Sequence, residues 1–489
     1  MEYFLEGKTI FITGATGFLA KILVEKILRL QPNVKKLFLL VRASDTKSAK
    51  KRFNDEVMQT ELFIVLREKI GVNNLNSLIE EKVFPIAGDI SFEDFGIENS
   101  EMKNEMFKEI DIIINSAATT RFDERYDIAM NINVQGAVNV LNFAKRCVNV
   151  KIIIHVSTAY VCGEGEGIIQ EKSFTLGETL NKNSKLDIDV EKKVIEEKLK
   201  ELEAQRLTRK EVTMAMRDLG IQRANLHGWP NTYSFTKAMG EMLLGHLKEN
   251  LQLVIIRPTI ITSTYKEPFP GWIEGVKTVD SFILAYGKGV LNFCFGDPNS
   301  KIDMIPGDMV VNSILAAIIA HIGKDRYYSS QELIYHISSS KRNPLKSSDI
   351  RLFLFQYFTK NPWINKDGKI IKVGMPTLFS NMDSFQKYIS TYYWPLLKIV
   401  ELVNVLSWHR FDKTYTDLKR KIDMSIRLCE LYKPYVLFHG SFDDCNTERL
   451  RMTMKGYNMD DKLNFDPNCI KWEDYFMKTH LPGAVKHIF

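Results

Sequence analysis

Residues 9–30 read TIFITGATGFLAKILVEKILRL, and no other run constrains the chain as tightly. Thr9 to Thr13 are mostly β-branched or aromatic, the makeup of a short buried strand. Gly14, Gly17 and Ala20 follow in the pattern G-x-x-G-x-x-A, and Phe18, Leu19, Ile22, Leu23, Ile27 and Leu28 then recur at helical spacing until Pro32. Strand, glycine turn and helix, in that order, are the context a dinucleotide fingerprint needs. The glycines let backbone approach a pyrophosphate, and the helix start offers free N–H groups at the positive end of its dipole. Thr13, Gly14, Thr16, Gly17, Phe18 and Leu19 are the candidate contacts. A plain strand–helix turn is the competing reading.

A second strand, Leu37 to Val41, ends at Arg42. An acidic residue at this place usually holds the ribose 2′-OH of NAD; arginine suits a 2′-phosphate, hence NADPH. Lys50, Lys51 and Arg52 lie nearby and are otherwise a solvated basic face. Strand-like runs recur at Val83–Ala87, Ile110–Asn115, Lys151–Val156 and Leu253–Ile256, separated by helical patterns. That alternation predicts an α/β chain with a doubly wound parallel sheet, its ligands at the carboxyl ends of the strands. Asp89, within Gly88-Asp89-Ile90, is placed to accept from an adenine amino group. Ala117 and Ala118 let the chain pass close to a cofactor. Each is also ordinary turn chemistry.

Net charge is +6, from 66 basic and 60 acidic residues, which gives no case for nucleic acid as a partner. The six cysteines are scattered with no C-x-x-C pair, so neither a disulfide framework nor a metal site is expected. The acidic N-terminus runs straight into the glycine turn, leaving no room for a signal or transit peptide.

Ser157-Thr158-Ala159-Tyr160 follows the strand ending at Val156, and Tyr233 and Lys237 stand four apart, on one face of a helix. A phenol is a poor acid–base group at neutral pH. A neighbouring ammonium stabilises its phenolate, so Lys237 is expected to lower the pKa of Tyr233. Tyr233 then protonates a carbonyl oxygen that a hydroxyl of Ser157 or Thr158 also holds. Y-x-x-x-K is by itself a common accident; with the glycine turn and a Ser/Thr strand end it becomes a strong signal.

The chain resembles the extended short-chain dehydrogenase/reductase superfamily and, more narrowly, the plant alcohol-forming fatty acyl-CoA reductases. The runs that carry this include TGATGFLAKILVEKILR (13–29), HVSTAYVCG (155–163), HGWPNTYSFTKAMGE (227–241), IIRPTIITSTYKEPFPGWIEG (255–275) and KWEDYFMKTHLPG (471–483). The resemblance implies a Rossmann-type domain over residues 1–385 and a smaller, mainly helical domain over 386–489. It implies NADPH and a four-electron reduction of fatty acyl-CoA to alcohol through the aldehyde. By the same carry-over Tyr233 is the proton donor, and Lys237 is its helper and binds the nicotinamide ribose. Thr158 stands at the Ser/Thr position, Asn133 supports the site, and Pro258 and Thr259 approach the nicotinamide amide. It also implies peripheral contact with the cytosolic side of the endoplasmic reticulum membrane. An acyl-CoA reductase that stops at aldehyde and a non-catalytic nucleotide-binding lipid carrier are the alternatives.

About 75 residues separate Thr158 from Tyr233, and Val190, Val194, Ile195, Leu199 and Leu202 within them keep helical spacing. A solvated helix packing one apolar stripe is the plainer reading, and a wall of the acyl or CoA channel the sharper one. His227 reads as a hydrogen-bonded structural histidine ahead of a ligand or base. Residues 325–380 read as a mixed substrate-side segment. Tyr392 to Trp408 is the most apolar run, read either as a buried helix or as one lying in a lipid interface.

Overall fold

The computed structural model describes residues 4–276, 278–322 and 333–488. Seven strands form one sheet: β1 (Thr9–Thr13), β2 (Lys36–Val41), β3 (Val83–Ala87), β4 (Ile112–Asn115), β5 (Ile152–Val156), β6 (Leu253–Pro258) and β7 (Leu333–Ile337). Their spatial order is β7-β6-β5-β4-β1-β2-β3 and every pairing is parallel. The near-continuous apolar runs follow from this, because a parallel sheet is covered on both faces. Successive side chains point to opposite faces. Ile10 and Ile12, Ile112 and Ile114, and Ile152 and Ile154 therefore enter one core, while Phe11, Ile113 and Ile153 enter the other.

Chain order reverses between β1 and β4, and that switch point is where such sheets open a crevice. Thr13 and Asn115 are register partners there, so the loops after β1 and β4 leave the sheet side by side.

The strand β7 falls inside the expected substrate-side segment, of which residues 325–332 lie outside the described ones. Its Ile334 to Ile337 are buried, and it is the edge strand beside β6. The last residues of the chain return to the main core. Strand Gly440–Phe442 pairs with Gly167–Ile169, and Leu450, Trp472, Tyr475, Phe476 and Leu481 share the core of Ile10 and Ile12. A separate apolar cluster joins Phe293, Phe379 and Phe385 to Leu397 and Ile422. The C-terminal hundred residues thus divide between a small helical cluster and the wall of the sheet domain.

Candidate active site

Gly14 holds φ +70°, and a Cβ there would lie 2.8 Å from the backbone of Ala117. Only glycine tolerates both the left-handed backbone and that approach. Thr13 fixes the same junction: its hydroxyl donates to Asn115 Oδ1 at 2.7 Å and accepts from the Ala117 N–H at 3.1 Å. The helix Phe18–Leu30 begins at Gly17 with no side-chain cap and no acidic residue in its first turn. Its leading N–H groups are left to meet an anion, as a pyrophosphate requires.

This helix start borders a cleft of about 810 Å3. Gly17, Phe18, Leu19 and Ala118 line one part of it; Ser157, Thr158, Tyr233, Pro258 and Thr259 line another. The sequence candidates on five separate segments are thereby brought to one hollow. Tyr233 and Lys237 stand on the helix Thr232–Leu247, capped by Asn231, whose side chain accepts from the Ser234 N–H at 2.9 Å. The Thr158 side chain stands near enough to the Tyr233 phenol to favour its ionised form, and among the described residues the buried Ser157 hydroxyl has no hydrogen-bond partner. Three hydroxyls, one of them unspent, suit a carbonyl oxygen that gains negative charge.

Electrostatics at the pair differ from the expectation. Burial pushes the Tyr233 phenol up to about 12, opposed by the Thr158 bond. Lys237 is not among the groups that shift it, because its ammonium is spent elsewhere: it donates to the Val156 carbonyl at 2.8 Å and meets His155 Nε2 at 3.2 Å. Burial brings Lys237 itself down to about 8. Tyr233 is thus neutral at physiological pH, as an ordinary phenol is, and burial carries it further from ionising rather than its neighbour tuning it downward. His155 is the residue that sequence reasoning missed. It sits on β5, 1% exposed, and its Nδ1 meets Asn115 Nδ2 at 3.0 Å. A buried chain Thr13–Asn115–His155–Lys237 therefore ties the glycine turn to the helix Thr232–Leu247. Its sequence signal was a lone histidine in an isoleucine strand.

Other candidates serve the frame. Asn133 accepts from the Thr119 N–H at 3.0 Å and donates to Thr119 O at 3.1 Å and to Thr236 Oγ1 at 3.0 Å, so it pins the loop after β4 to the helix of Tyr233. The Thr259 hydroxyl donates to buried Asp303 at 2.9 Å. Asp89 accepts from the Ser91 N–H at 2.9 Å and its hydroxyl at 2.8 Å, and Ile90 is buried against Gly136. Half-buried Thr16 lies within the glycine turn. Arg42 is exposed, whereas Arg52 pairs with Glu56 and donates to the Arg42 carbonyl at 2.7 Å.

The insertion builds two helices, Ile188–Ala204 and Arg209–Leu226. Ile195 and Leu202 bury the expected stripe, but Val190 is exposed. Arg223, His227 and the Tyr126 hydroxyl converge on buried Glu191, whose carboxyl these bonds hold down to about 2. His227 is 3.1 Å from that carboxylate and 3.3 Å from the Ser184 hydroxyl, a structural histidine outside the cleft lining. The second helix also sends Arg217 into the cleft, where its buried Nε has no hydrogen-bond partner among the described residues. Exposed Arg121, and Arg427 paired with Asp123, line the same cleft. The apolar run near 400 forms a helix, Trp394–Leu406, in which only Leu397 and Asn404 are buried; the buried-helix reading does not hold. Among the described residues no helix is long and apolar enough to cross a membrane.

Two family models described as male sterility protein match residues 12–314, an NAD-binding domain, and 392–489. Fatty acyl-CoA reductase 1 of Arabidopsis thaliana is 53% identical over 488 residues, covering 99% of this chain and 98% of that one.

The chain belongs to the fatty acyl-CoA reductase family.

The alcohol-forming fatty acyl-CoA reductase of Simmondsia chinensis is 50% identical to it over 486 residues, with 99% and 98% covered. Among solved structures, the terminal R domain from the myxalamid PKS-NRPS pathway aligns with a TM-score of 0.59 at 16% identity, covering 98% of this chain and 91% of that one. Gre2 from Candida albicans aligns with a TM-score of 0.51 at 14% identity, covering 98% and 99%. These likenesses establish the fold, and the NAD-binding model establishes a nicotinamide cofactor for this family member. The residues present fit that group: an uncapped helix start, a glycine pressed on Ala117, and an unpartnered hydroxyl at Ser157.

Proposed function

We propose that this protein reduces long-chain fatty acyl-CoA twice at one carbonyl carbon, giving the primary alcohol and free CoA, with NADPH as reductant. The observation that carries the reading is the convergence of Tyr233, Thr158 and the unpartnered Ser157 hydroxyl on the cleft that the Gly17 helix start also borders. NADPH, when bound, supplies the electron pair and hydrogen for each reduction. The protein's residues supply the rest. In both steps a carbonyl oxygen becomes anionic, so one set of hydroxyls serves both. Tyr233, a neutral phenol that burial makes still harder to ionise, gives that oxygen its proton. The first reduction leaves a hemithioacetal, whose collapse breaks the C–S bond, restores a carbonyl and releases CoA as thiol. The aldehyde then accepts the second reduction and a second proton.

Arg42 at the end of β2 supports NADPH over NADH, since a cation there complements a 2′-phosphate and would gain nothing from a ribose hydroxyl. Arg217 and Arg121 at the cleft support a substrate bearing phosphates, as CoA does, because a half-buried guanidinium with an unpartnered Nε is completed by an anion. The same reading puts the protein on the cytosolic face of the endoplasmic reticulum, held peripherally. The support is an apolar surface on which Ile399, Leu402, Val405, Leu406 and Trp408 are exposed, beside Lys398 and Arg410. Such a face suits a lipid interface.

Purified protein given NADPH and long-chain acyl-CoA is expected to yield alcohol without accumulating aldehyde, and free CoA in equal amount. Aldehyde as the end product, or no NADPH oxidation, would overturn the reading.

A further inference from the structure

Beside the cleft lies a second cavity of about 110 Å3 whose lining is mostly apolar, with Ser281, Ser347 and Arg351 also on it. Val279, Phe282, Phe293, Met304, Ile350 and Cys429 form its wall. The two hollows are neighbours through shared residues: Ile260, Tyr432 and Tyr435 line both. Those tyrosines come from the long helix Asp412–Val436 in the C-terminal part of the chain. They pack around Phe122: Tyr435 stacks on it at 4.7 Å and Tyr432 meets its edge at 5.6 Å. Phe122 in turn stacks on the Tyr233 ring at 6.1 Å. An aromatic neck therefore stands between the proton donor and the apolar cavity.

We propose that this neck admits the acyl tail, that the apolar cavity takes its far end, and that the helix Asp412–Val436 sets the chain length accepted. The proposal rests on the acyl-CoA reading of the cleft and gives the C-terminal part a role in specificity. Three observations support it. The cavity offers a hydrocarbon chain the environment it gains most from, since burial of each methylene is worth about 0.8 kcal/mol. A cavity of about 150 Å3 holds benzene, so this smaller one fits the terminal few carbons of a tail rather than a whole chain. The polar groups at the neck are already occupied, with Asn231 donating to the Tyr435 hydroxyl at 2.7 Å and Ser281 to the Tyr432 hydroxyl at 3.3 Å, so a passing chain strands none of them. Cys429, three residues before Tyr432, faces the cavity, and burial keeps its thiol neutral, pushed up to about 12.

The test compares the native enzyme with Cys429→Trp, which fills the cavity, and Phe293→Ala, which enlarges it, across saturated acyl-CoAs of increasing length. Cys429→Trp is expected to lose activity on long chains by tenfold or more while short chains stay within about twofold, since a misplaced methylene is worth roughly 10- to 200-fold. Phe293→Ala is expected to move the optimum to longer chains. Activity on short chains is the internal control for folding. A length profile that keeps its shape in both variants overturns the proposal, as does a loss equal at every length. Binding of a long fluorescent fatty acid, displaced by fatty alcohol, gives a readout without turnover. Native protein that binds the probe, with Cys429→Trp weakened about tenfold, keeps the pocket even if acyl-CoA proves not to be reduced. Equal binding by both proteins removes it.

Discussion

Replacing Tyr233 by Phe deletes one oxygen atom and leaves the ring that stacks on Phe122 at 6.1 Å. What the folded state loses is the phenol's polar contact with Thr158, worth at most a hydrogen bond's net contribution of about 1 kcal/mol. What the reaction loses is its proton donor, and general acid catalysis is worth about 100- to 10,000-fold, or about 3–5 kcal/mol of barrier. The two effects separate in measurement. The melting temperature of Tyr233→Phe should stay within a few degrees of native, and NADPH affinity, followed by its fluorescence, within a few-fold. The initial rate of NADPH oxidation at saturating acyl-CoA should fall at least a hundredfold. A variant that folds, binds NADPH and turns over within tenfold of native would refute the assignment of Tyr233 as donor.

Gly14→Ala should melt lower and bind NADPH poorly, because its Cβ would press on Ala117 at 2.8 Å from a left-handed backbone; a native-like binding curve would contradict the close-approach argument. Arg42→Glu should weaken NADPH far more than NADH, and equal losses would remove the 2′-phosphate contact. Arg217→Ala should raise KM for acyl-CoA with little change in kcat; an unchanged KM, or a selective fall in kcat, would remove it from the CoA site. The rate should stay level as pH rises through about 8, where Lys237 gives up its proton without shifting Tyr233; a fall there would contradict that independence. Stability does respond to the same titration. With its pKa lowered from 10.5, Lys237 binds fewer protons in the folded state than in the unfolded, so its contribution to stability grows from about pH 8 upward. A Lys237→Met variant with the native pH slope of stability would contradict the assignment.

The parallel sheet was legible because its strands are isoleucine-rich, buried on both faces and punctuated by turn residues. The strand β7 was hidden: LIYHI contains a histidine and precedes three serines, so its pattern resembles a loop until β6 is placed beside it. The placement of Tyr233 and Lys237 on one helix was legible through their spacing of four. Where the lysine's ammonium points was not, because that depends on His155 and the Val156 carbonyl, 82 and 81 residues away in the chain. Arg217 and the Tyr432–Tyr435 neck escaped for the same reason: distant helices deliver them, and nothing local distinguishes them from a solvated arginine or a packed aromatic.

The most direct test of a single cleft acting twice follows deuterium from NADPH labelled at its transferable position into the product of one long-chain acyl-CoA. The account predicts primary alcohol carrying two deuterium atoms on C1 and none elsewhere, with two NADPH consumed for each CoA released. Labelled aldehyde as the end product, or alcohol with a single deuterium on C1, would contradict it.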